Sequence, residues 1–310
     1  MQIVRSLDVF NESNPIVLTQ GTFDGVHQGH QKILKRIVTR ARQINGKSVL
    51  LTFYPHPRLV LYPEDNKLRL ITGIDEKAKL LESFGLDYLV ILPFTKELSR
   101  FTPFGFIRDV LVKQLHISTI IIGYDHRFGK NREGSFEDIV KYSGEFGYDV
   151  EQISEQDIND CIVSSSLIRK SLLEGDLEQA NDFLGRPYSI SGTVIEGRNV
   201  GSQIGFPTAN IGGLEAYKLI PKLGVYAVQV VLKEKTWNGM LNIGTRPTFK
   251  LGEMSIEVHI FDLSEDIYGQ EIEILFVKRC RDERKFENSE ALVTQLRADE
   301  QEIRTLFNSI

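Results

Sequence analysis

The glycine-rich stretch GTFDGVHQGH, residues 21–30, carries two histidines between an apolar run and a helical pattern. Its glycines permit close approach of the backbone to a ligand, and the first turn of a helix offers unpaired N–H groups at a positive dipole end. An anion is therefore the expected ligand. The imidazoles of His27 and His30 can donate hydrogen bonds to phosphate oxygens that gain charge in a transition state.

Two other interpretations of this stretch stay open from its residues alone. Most isolated pairs of histidines three apart are incidental residues at a capped helix start. A metal site is weakly supported, because His27 and His30 have no third ligand nearby in the sequence, whereas zinc sites use three or four protein ligands.

The segment GFPTANI, residues 205–211, carries a second set of candidate ligands. Pro207 restricts the backbone, while the Thr208 hydroxyl and the Asn210 amide oxygen are hard oxygen donors. Such donors suit a magnesium ion that is held mainly by water and nucleotide phosphates. Taken alone, the segment is better explained as a turn with polar residues.

The strand pattern IEVHIF, residues 256–261, alternates between an apolar and a mixed face. Glu257 shares the mixed face with His259 and Phe261, away from the isoleucine and valine side chains. A carboxylate displayed in this way can act as a general base toward a primary hydroxyl. The commoner alternative is a solvated carboxylate on a strand.

The first half of the chain supplies the elements that would position residues 21–30. Its apolar runs are continuous, as in strands buried on both faces, and helical patterns separate them. This alternation predicts an α/β fold with a doubly wound parallel sheet, in which ligands bind at the carboxyl ends of the strands. The predicted strands are Ile16–Thr19, Val49–Phe53, Tyr88–Leu92 and Thr119–Ile122.

The second half of the chain changes to strand patterns separated by short turns, and a helical pattern over residues 289–307 follows them. These patterns indicate an antiparallel β-barrel or sandwich with a C-terminal helix. A helical segment gives way to the first of these strands near residues 182–187. We therefore expect two domains, 1–183 and 184–310.

Composition narrows the classes of function for this 310-residue chain. The formal net charge of −5 argues against a protein that mainly binds nucleic acid or anionic membranes. No apolar run reaches transmembrane length, and the N-terminal residues lack the apolar core of a signal peptide. Cys161 and Cys280 lie far apart without metal-site spacing. We expect two reduced thiols in a cytoplasmic protein.

The HxGH pattern after a strand resembles the signature of the nucleotidylyltransferase superfamily, and GxFDGxHxGH is similar to the version in prokaryotic FAD synthetases. The resemblance implies a Rossmann-like domain in which the phosphate of FMN attacks the α-phosphorus of ATP and pyrophosphate leaves. It implies catalytic roles for His27 and His30. The contacts to ATP or phosphate that it implies within the same stretch are Gly21, Phe23, Asp24 and Gly29.

Three further segments resemble the same family in order. TFYPHP, residues 52–57, follows the second strand and offers His56. GYDHRFGKNREG, residues 123–134, follows the fourth and offers Asp125 to the nucleotide, although His126 stands where the family usually has Phe. In VSSSLIRKSLLEGD, hydroxyls can cap a helix or reach phosphate, and Arg169 can bind phosphate oxygens with two hydrogen bonds. These hydroxyls belong to Ser164, Ser165 and Ser166.

The second half of the chain resembles riboflavin kinase, a six-stranded barrel. The resemblance implies that Glu257 deprotonates the ribityl 5′-hydroxyl, while Thr208 and Asn210 organise magnesium and ATP for γ-phosphoryl transfer. Many family members have Gly-Arg at positions 201–202, where this chain has Gly-Ser, so the basic group expected there either comes from Arg198 or is absent. The further ATP or flavin contacts implied are Gly197, Arg198, Gly205, Phe206 and Pro207.

Together the two halves resemble the prokaryotic bifunctional riboflavin kinase/FAD synthetases. The resemblance implies two reactions, riboflavin to FMN and FMN to FAD, with one ATP at each site and Mg²⁺ as the metal. We expect no nucleic-acid or membrane partner, and a monomer or weak homo-oligomer. Two alternatives stay open: an adenylyltransferase whose barrel only binds flavin or regulates, and a non-catalytic nucleotide-binding or RNA-binding protein.

Overall fold

The computed structural model describes residues 1–64, 67–124, 126–154, 163–197, 200–245 and 254–309. Its contacts group the chain into two units, residues 1–165 and 166–310. Two helices that precede the barrel in sequence, within residues 165–184, therefore fall mostly in the second unit. The domain boundary predicted at 183/184 stays a prediction.

The first unit contains a six-stranded sheet in which every neighbouring pair is parallel, in the order β1-β4-β3-β2-β5-β6. The predicted parallel sheet is confirmed. The sequence pattern missed the two edge strands, because they are short and only partly buried and so lack a continuous apolar run. The strands are β1 (Gln2–Val4), β2 (Ile16–Gln20), β3 (Lys47–Tyr54), β4 (Tyr88–Pro93), β5 (Ile117–Gly123) and β6 (Asp149–Ile153).

Helices cover both faces of this sheet, so each face has its own apolar core. The first helix shows why: its buried side chains recur every three or four residues and form one stripe against the strands. The helices are α1 (Gln28–Gln43), α2 (Pro57–Leu61), α3 (Ile74–Ser83), α4 (Pro103–Phe106), which continues as a π-helical segment (Ile107–Val112), and α5 (Phe136–Phe146).

The strand order reverses at the centre of the sheet. From β2 the chain proceeds to β3 and β4 on one side, and β5 and β6 lie on the other. Adjacent connections at such a point leave in opposite directions, and a crevice opens between them at the carboxyl ends of the strands. Residues 21–30 leave β2 at this crevice, and the described residues 126–134 follow β5 beside it.

The second unit is a closed six-stranded barrel in the order β10-β11-β8-β7-β12-β9, with antiparallel neighbours. This confirms the barrel rather than the sandwich. Its strands are β7 (Tyr188–Ile195), β8 (Ala209–Gly212), β9 (Gly224–Leu232), β10 (Lys235–Thr245), β11 (Met254–Ile260) and β12 (Glu271–Arg281). The remaining helices are α6 (Ser165–Glu174), α7 (Leu177–Leu184), α8 (Val200–Gln203) and α9 (Ser289–Asn308).

The C-terminal helix α9 packs against the outside of the barrel. Its Ile303 is fully buried in a cluster with side chains from β9, β10 and the segment around β11. An ion pair closes the same contact: Arg281 binds the buried Asp299 through two nitrogens, with Nη2 2.6 Å from Oδ2. Among the described residues, no helix is both long enough and apolar enough to cross a membrane.

Candidate active sites

The loop between β2 and α1 has a constrained backbone. Phe23 and Val26 adopt left-handed conformations, with φ of 45° and 42°, which are unusual for an aromatic and a β-branched residue. Gly25, at φ 86°, is the residue between them best suited to this region. Such strain persists where the surroundings determine the conformation, and it is common at functional sites.

Asp24 is the main internal anchor of this loop. Its carboxylate is buried and accepts hydrogen bonds from the backbone N–H groups of Ile71 and Thr72, at 3.0 and 3.1 Å. The Thr72 hydroxyl in turn accepts from the N–H of Gly25 at 3.0 Å. Asp24 therefore holds the loop against the segment before α3. Asp24 thus has a positioning role. Its contact to ATP stays a prediction.

Lys77 on α3 is a residue that the sequence reasoning missed. Its side chain is buried, and its Nζ donates to the carbonyl of Thr22 at 2.7 Å, which places a positive charge beneath the loop. Its spacing could have revealed it, because Lys77 stands three residues after Ile74 and four before Leu81, on the apolar face of the helix.

The two histidines lie together at the start of α1. His27 is the N-cap, and its Nδ1 accepts from the N–H of His30 at 3.4 Å. In the neutral imidazole the proton then sits on Nε2, which makes that atom a donor. The rings of His27 and His30 stack with centroids 3.6 Å apart, and Phe23 stacks on the other side of His30 at 4.5 Å.

The environment of His30 favours its neutral form. Burial lowers its pKa well below 6.5, and electrostatic interactions with His27 and Lys77 lower it further. Its Nδ1 is buried and has no hydrogen-bond partner among the described residues. A neutral imidazole keeps one N–H group, which can donate a hydrogen bond to a phosphate oxygen. Over the described part of the chain, no cluster of three or more His, Cys, Asp or Glu side chains can hold a metal ion.

Ser165 of the serine segment contacts this loop. Ser165 Oγ donates to the carbonyl of Asp24 at 2.9 Å, so this hydroxyl binds the loop itself. Ser164 is exposed just before α6, while Ser166 and Arg169 lie on α6 within the second unit. Their contacts to phosphate, like that of Ser165, stay predictions. Asp125 lies outside the described residues.

His126 follows β5 at the crevice and packs inward. Its ring stacks on Phe128 with centroids 5.8 Å apart, and its Nε2 is buried without a partner in the described structure. Burial, followed by the positive charge of Arg132, lowers its pKa to about 4. Position 126 is therefore a packing position that this chain fills with a neutral imidazole.

In the barrel, the strand register brings the predicted kinase residues together. Glu257 on β11 pairs directly with Asn210 on β8 and, on its other side, with Asn242 on β10. Directly paired side chains share one face of a sheet. Asn210 is buried and Glu257 half-buried, while Ile256 and Val258 fill the opposite face. The structure thus places the predicted base beside one of the two predicted metal ligands.

Two glycines make room for this segment. A Cβ at Gly197 would lie 2.0 Å from the Asn210 amide nitrogen, and one at Gly201 would lie 2.2 Å from the carbonyl oxygen of Phe206. Gly197 and Gly201 therefore lie so close to residues 206–210 that neither position has space for a side chain. Gly205 is left-handed at φ 84° and Phe206 is buried. Arg198 lies outside the described residues.

A cavity of about 300 Å³ opens beside Thr208. Its lining combines apolar side chains with the polar residues Ser202, Thr208, Ser264, Glu265 and Asp266. This combination suits a planar apolar ring that carries a polar chain. The apolar lining residues are Val194, Pro207, Ala209, Val258, Ile260, Leu263, Ile267 and Tyr268.

The chain matches known proteins along almost its full length. A family model described as FAD synthetase matches residues 9–167, and one described as riboflavin kinase matches residues 184–307. The bifunctional riboflavin kinase/FMN adenylyltransferase of Listeria monocytogenes is 41% identical over 292 residues, which cover 94% of this chain and 92% of that protein. The enzyme of the same description from Escherichia coli K12 is 35% identical over 310 residues, with coverages of 99% and 98%.

A solved structure agrees in fold. A crystal structure from Streptococcus pneumoniae, described as a macrolide-efflux protein, superposes with a TM-score of 0.88 at 30% identity and covers 98% of both chains. The two family models occur in the order in which the sheet and the barrel follow one another. The chain belongs to the bifunctional riboflavin kinase/FMN adenylyltransferase family, with an N-terminal FAD synthetase domain and a C-terminal riboflavin kinase domain.

Proposed function

We propose that this chain phosphorylates riboflavin with ATP at the barrel and then transfers the adenylyl group of a second ATP to the FMN at the parallel sheet. The observation that carries this proposal is the pairing of Glu257 with Asn210. An anion-binding loop at α1 fits many adenylyl acceptors. The Glu257 carboxylate beside the PTAN segment adds a second site, at which a hydroxyl can be activated. Riboflavin carries such a hydroxyl, and its phosphorylation yields the FMN that the loop at α1 would use.

In the kinase reaction, the Glu257 carboxylate takes the proton of the riboflavin 5′-hydroxyl as its oxygen attacks the γ-phosphorus of ATP. The new O–P bond forms as the bond to the β-phosphate oxygen breaks, and ADP leaves. The cavity bordered by Thr208 receives the adenosine part of the nucleotide, and the phosphates extend past Thr208 toward Asn210 and Glu257. The glycine-lined loop at Gly197 and Gly201 covers the phosphates.

Thr208 and Asn210 fit a magnesium ion. Both offer hard oxygen donors, and the space that the Asn210 amide occupies against Gly197 is one that a Cβ would fill. These two side chains would hold the ion, which would supply charge neutralisation to the nucleotide phosphates. The chain's own residues then orient the hydroxyl and receive its proton.

In the adenylyl transfer, a phosphate oxygen of FMN attacks the α-phosphorus of ATP, and pyrophosphate leaves as the α–β bridging bond breaks. No covalent enzyme intermediate is needed, so the protein contributes position and charge. His27 donates from Nε2 and His30 from its neutral ring to the phosphate oxygens. The N–H groups at the start of α1 and the Lys77 charge add to this field.

Exposed aromatic side chains offer a surface for the flavin ring of FMN. Tyr54 at the end of β3 is 43% exposed, and Tyr62 just after α2 is 61% exposed. Exposed aromatics at the carboxyl edge of a parallel sheet suit stacking with an isoalloxazine ring. For the rest, we propose a cytoplasmic enzyme that acts as a monomer or weak homo-oligomer, without a nucleic-acid or membrane partner.

The test is chromatography of the products from riboflavin, ATP and Mg²⁺. We expect FMN to appear first and FAD to follow. Glu257→Gln removes the base while it keeps the side-chain size, so we expect riboflavin phosphorylation to fall by about 100-fold or more, with adenylylation of supplied FMN unchanged. Phosphorylation at the wild-type rate would exclude Glu257 as the base, and failure of the wild-type chain to make FMN would favour a barrel that only binds flavin.

A further inference from the structure

His259 lies two residues after Glu257, on the same face of β11. Its ring packs edge-on against Phe206 and Phe261, with centroids 5.5 and 5.7 Å away. Its Nδ1 lies 2.7 Å from the carbonyl oxygen of Pro207. Because a carbonyl oxygen only accepts, Nδ1 carries the hydrogen and donates it.

This hydrogen bond acts on the residue directly before Thr208. The Pro207 carbonyl and the Thr208 nitrogen belong to one planar peptide unit, so holding the carbonyl holds the direction in which the chain enters Thr208. The same segment is anchored one residue earlier, where the Phe206 N–H donates to the carbonyl of Gly201 at 2.8 Å. Two consecutive residues before Thr208 are therefore held from different elements.

We propose that His259 is a positioning residue of the kinase site, whose Nδ1–H holds the Pro207 carbonyl and thereby places Thr208 relative to Glu257. The inference rests on the proposed phosphorylation of riboflavin, in which Thr208 faces the nucleotide and Glu257 faces the hydroxyl. Without this bond, only the aromatic packing and the backbone restrict the segment. A misplacement of about 1 Å at reacting groups costs about 100-fold in rate.

Two substitutions in the full chain separate the hydrogen bond from the packing. His259→Leu fills a similar volume without a donor, whereas His259→Asn retains an N–H donor close to the position of Nδ1. We expect His259→Leu to lower kcat/KM for riboflavin phosphorylation by about 30-fold and to weaken binding of magnesium–ADP by about tenfold. His259→Asn is expected to recover both to within about fivefold of wild type.

Phe261→Leu is the matched control, because Phe261 directly follows β11 and takes part in the aromatic contact with His259 but not in the hydrogen bond to Pro207. We expect it to keep kcat/KM within about threefold of wild type. Adenylylation of FMN, measured on the same preparations, is expected to be unchanged in all three variants. Circular dichroism at the assay temperature confirms that each is folded.

Three results would overturn the role of His259: a folded His259→Leu variant with wild-type kinase activity, a His259→Asn variant no better than Leu, or an equal loss in Phe261→Leu. A wild-type chain that makes no FMN would instead refute the proposed kinase function. In that case calorimetric binding of magnesium–ADP decides the inference, and an unchanged Kd in His259→Leu rejects it.

Discussion

At the scale of single residues, this protein keeps two histidines of the N-terminal unit neutral by burial. The pKa of His30 lies well below 6.5 and that of His126 is about 4, with desolvation the largest cause for both. For His30 the neutral state fits its proposed role toward phosphate. For His126, which packs on Phe128, no ligand contact is needed to explain it.

Neutral burial of His126 makes the stability of the protein depend on pH. In the unfolded chain a histidine takes up a proton near pH 6.5, whereas the folded state resists protonation of His126 down to about pH 4. The unfolded state therefore binds more protons between these values, and stability falls as the pH falls through that window. His30 acts in the same direction.

We therefore predict that His126→Phe reduces the loss of stability in acid. Between pH 7 and pH 5, the wild type should lose about 2 kcal/mol more of its unfolding free energy than the variant. Urea unfolding at the two pH values, followed by circular dichroism, measures this difference. The control is His116→Asn, at an exposed position whose left-handed backbone, φ 46°, Asn tolerates. This variant should lose as much unfolding free energy between pH 7 and pH 5 as the wild type does. An equal loss in wild type and His126→Phe would contradict the prediction.

At the scale of secondary-structure elements, α3 and the segment before it hold the phosphate loop. Asp24 binds the backbone at residues 71–72, Gly25 donates to Thr72, and Lys77 binds Thr22. Contacts of both signs of charge thus fix a loop whose own backbone is partly left-handed. The loop motif provides the chemistry, and a helix about 50 residues later in the chain provides its rigidity.

Substitution of Lys77 by Met should weaken adenylyl transfer selectively. The side-chain length is kept, but the bond to Thr22 and the charge beneath the loop are lost. We expect kcat/KM for FMN adenylylation to fall by about tenfold, equivalent to about 1.4 kcal/mol, while riboflavin phosphorylation is retained. Lys79→Met, at an exposed position of the same helix, is the control. Equal effects of the two substitutions would show that the site does not use the Lys77 charge.

At the scale of the whole molecule, two nucleotide sites belong to two compact units of one chain. Each unit has its own sheet and its own apolar cores, so we expect a local change in one site to leave the fold of the other intact. This independence makes each activity an internal control for the other.

The substitution His30→Ala tests that independence at the adenylyltransferase site, as Glu257→Gln tests it at the kinase site. It removes the ring stacked between Phe23 and His27, so we expect FAD formation to fall by about 100-fold or more, while riboflavin phosphorylation continues and FMN accumulates. Assays of both reactions on one purified sample provide the measurement. A folded variant in which both activities fall together would refute the model of two separate sites.

The sequence alone determined the family, the class of each fold and most candidate residues. Continuous apolar runs, alternating strands and short motifs are local patterns, and backbone geometry translates them directly into buried parallel strands, barrel strands and helix starts. The parallel sheet, the barrel and the last helix agree with those patterns. The two edge strands escaped because partial burial leaves no such pattern.

Only the tertiary structure decided which side chains hold the motif residues in place. The anchoring of the loop by Asp24, the burial of Lys77 and the contact of His259 with Pro207 join residues 47 to 55 positions apart. No local pattern encodes such a pairing, because it depends on strand order and register. The motif residues could be recognised from their own chemistry, whereas the residues that hold them in place are defined by their neighbours in space.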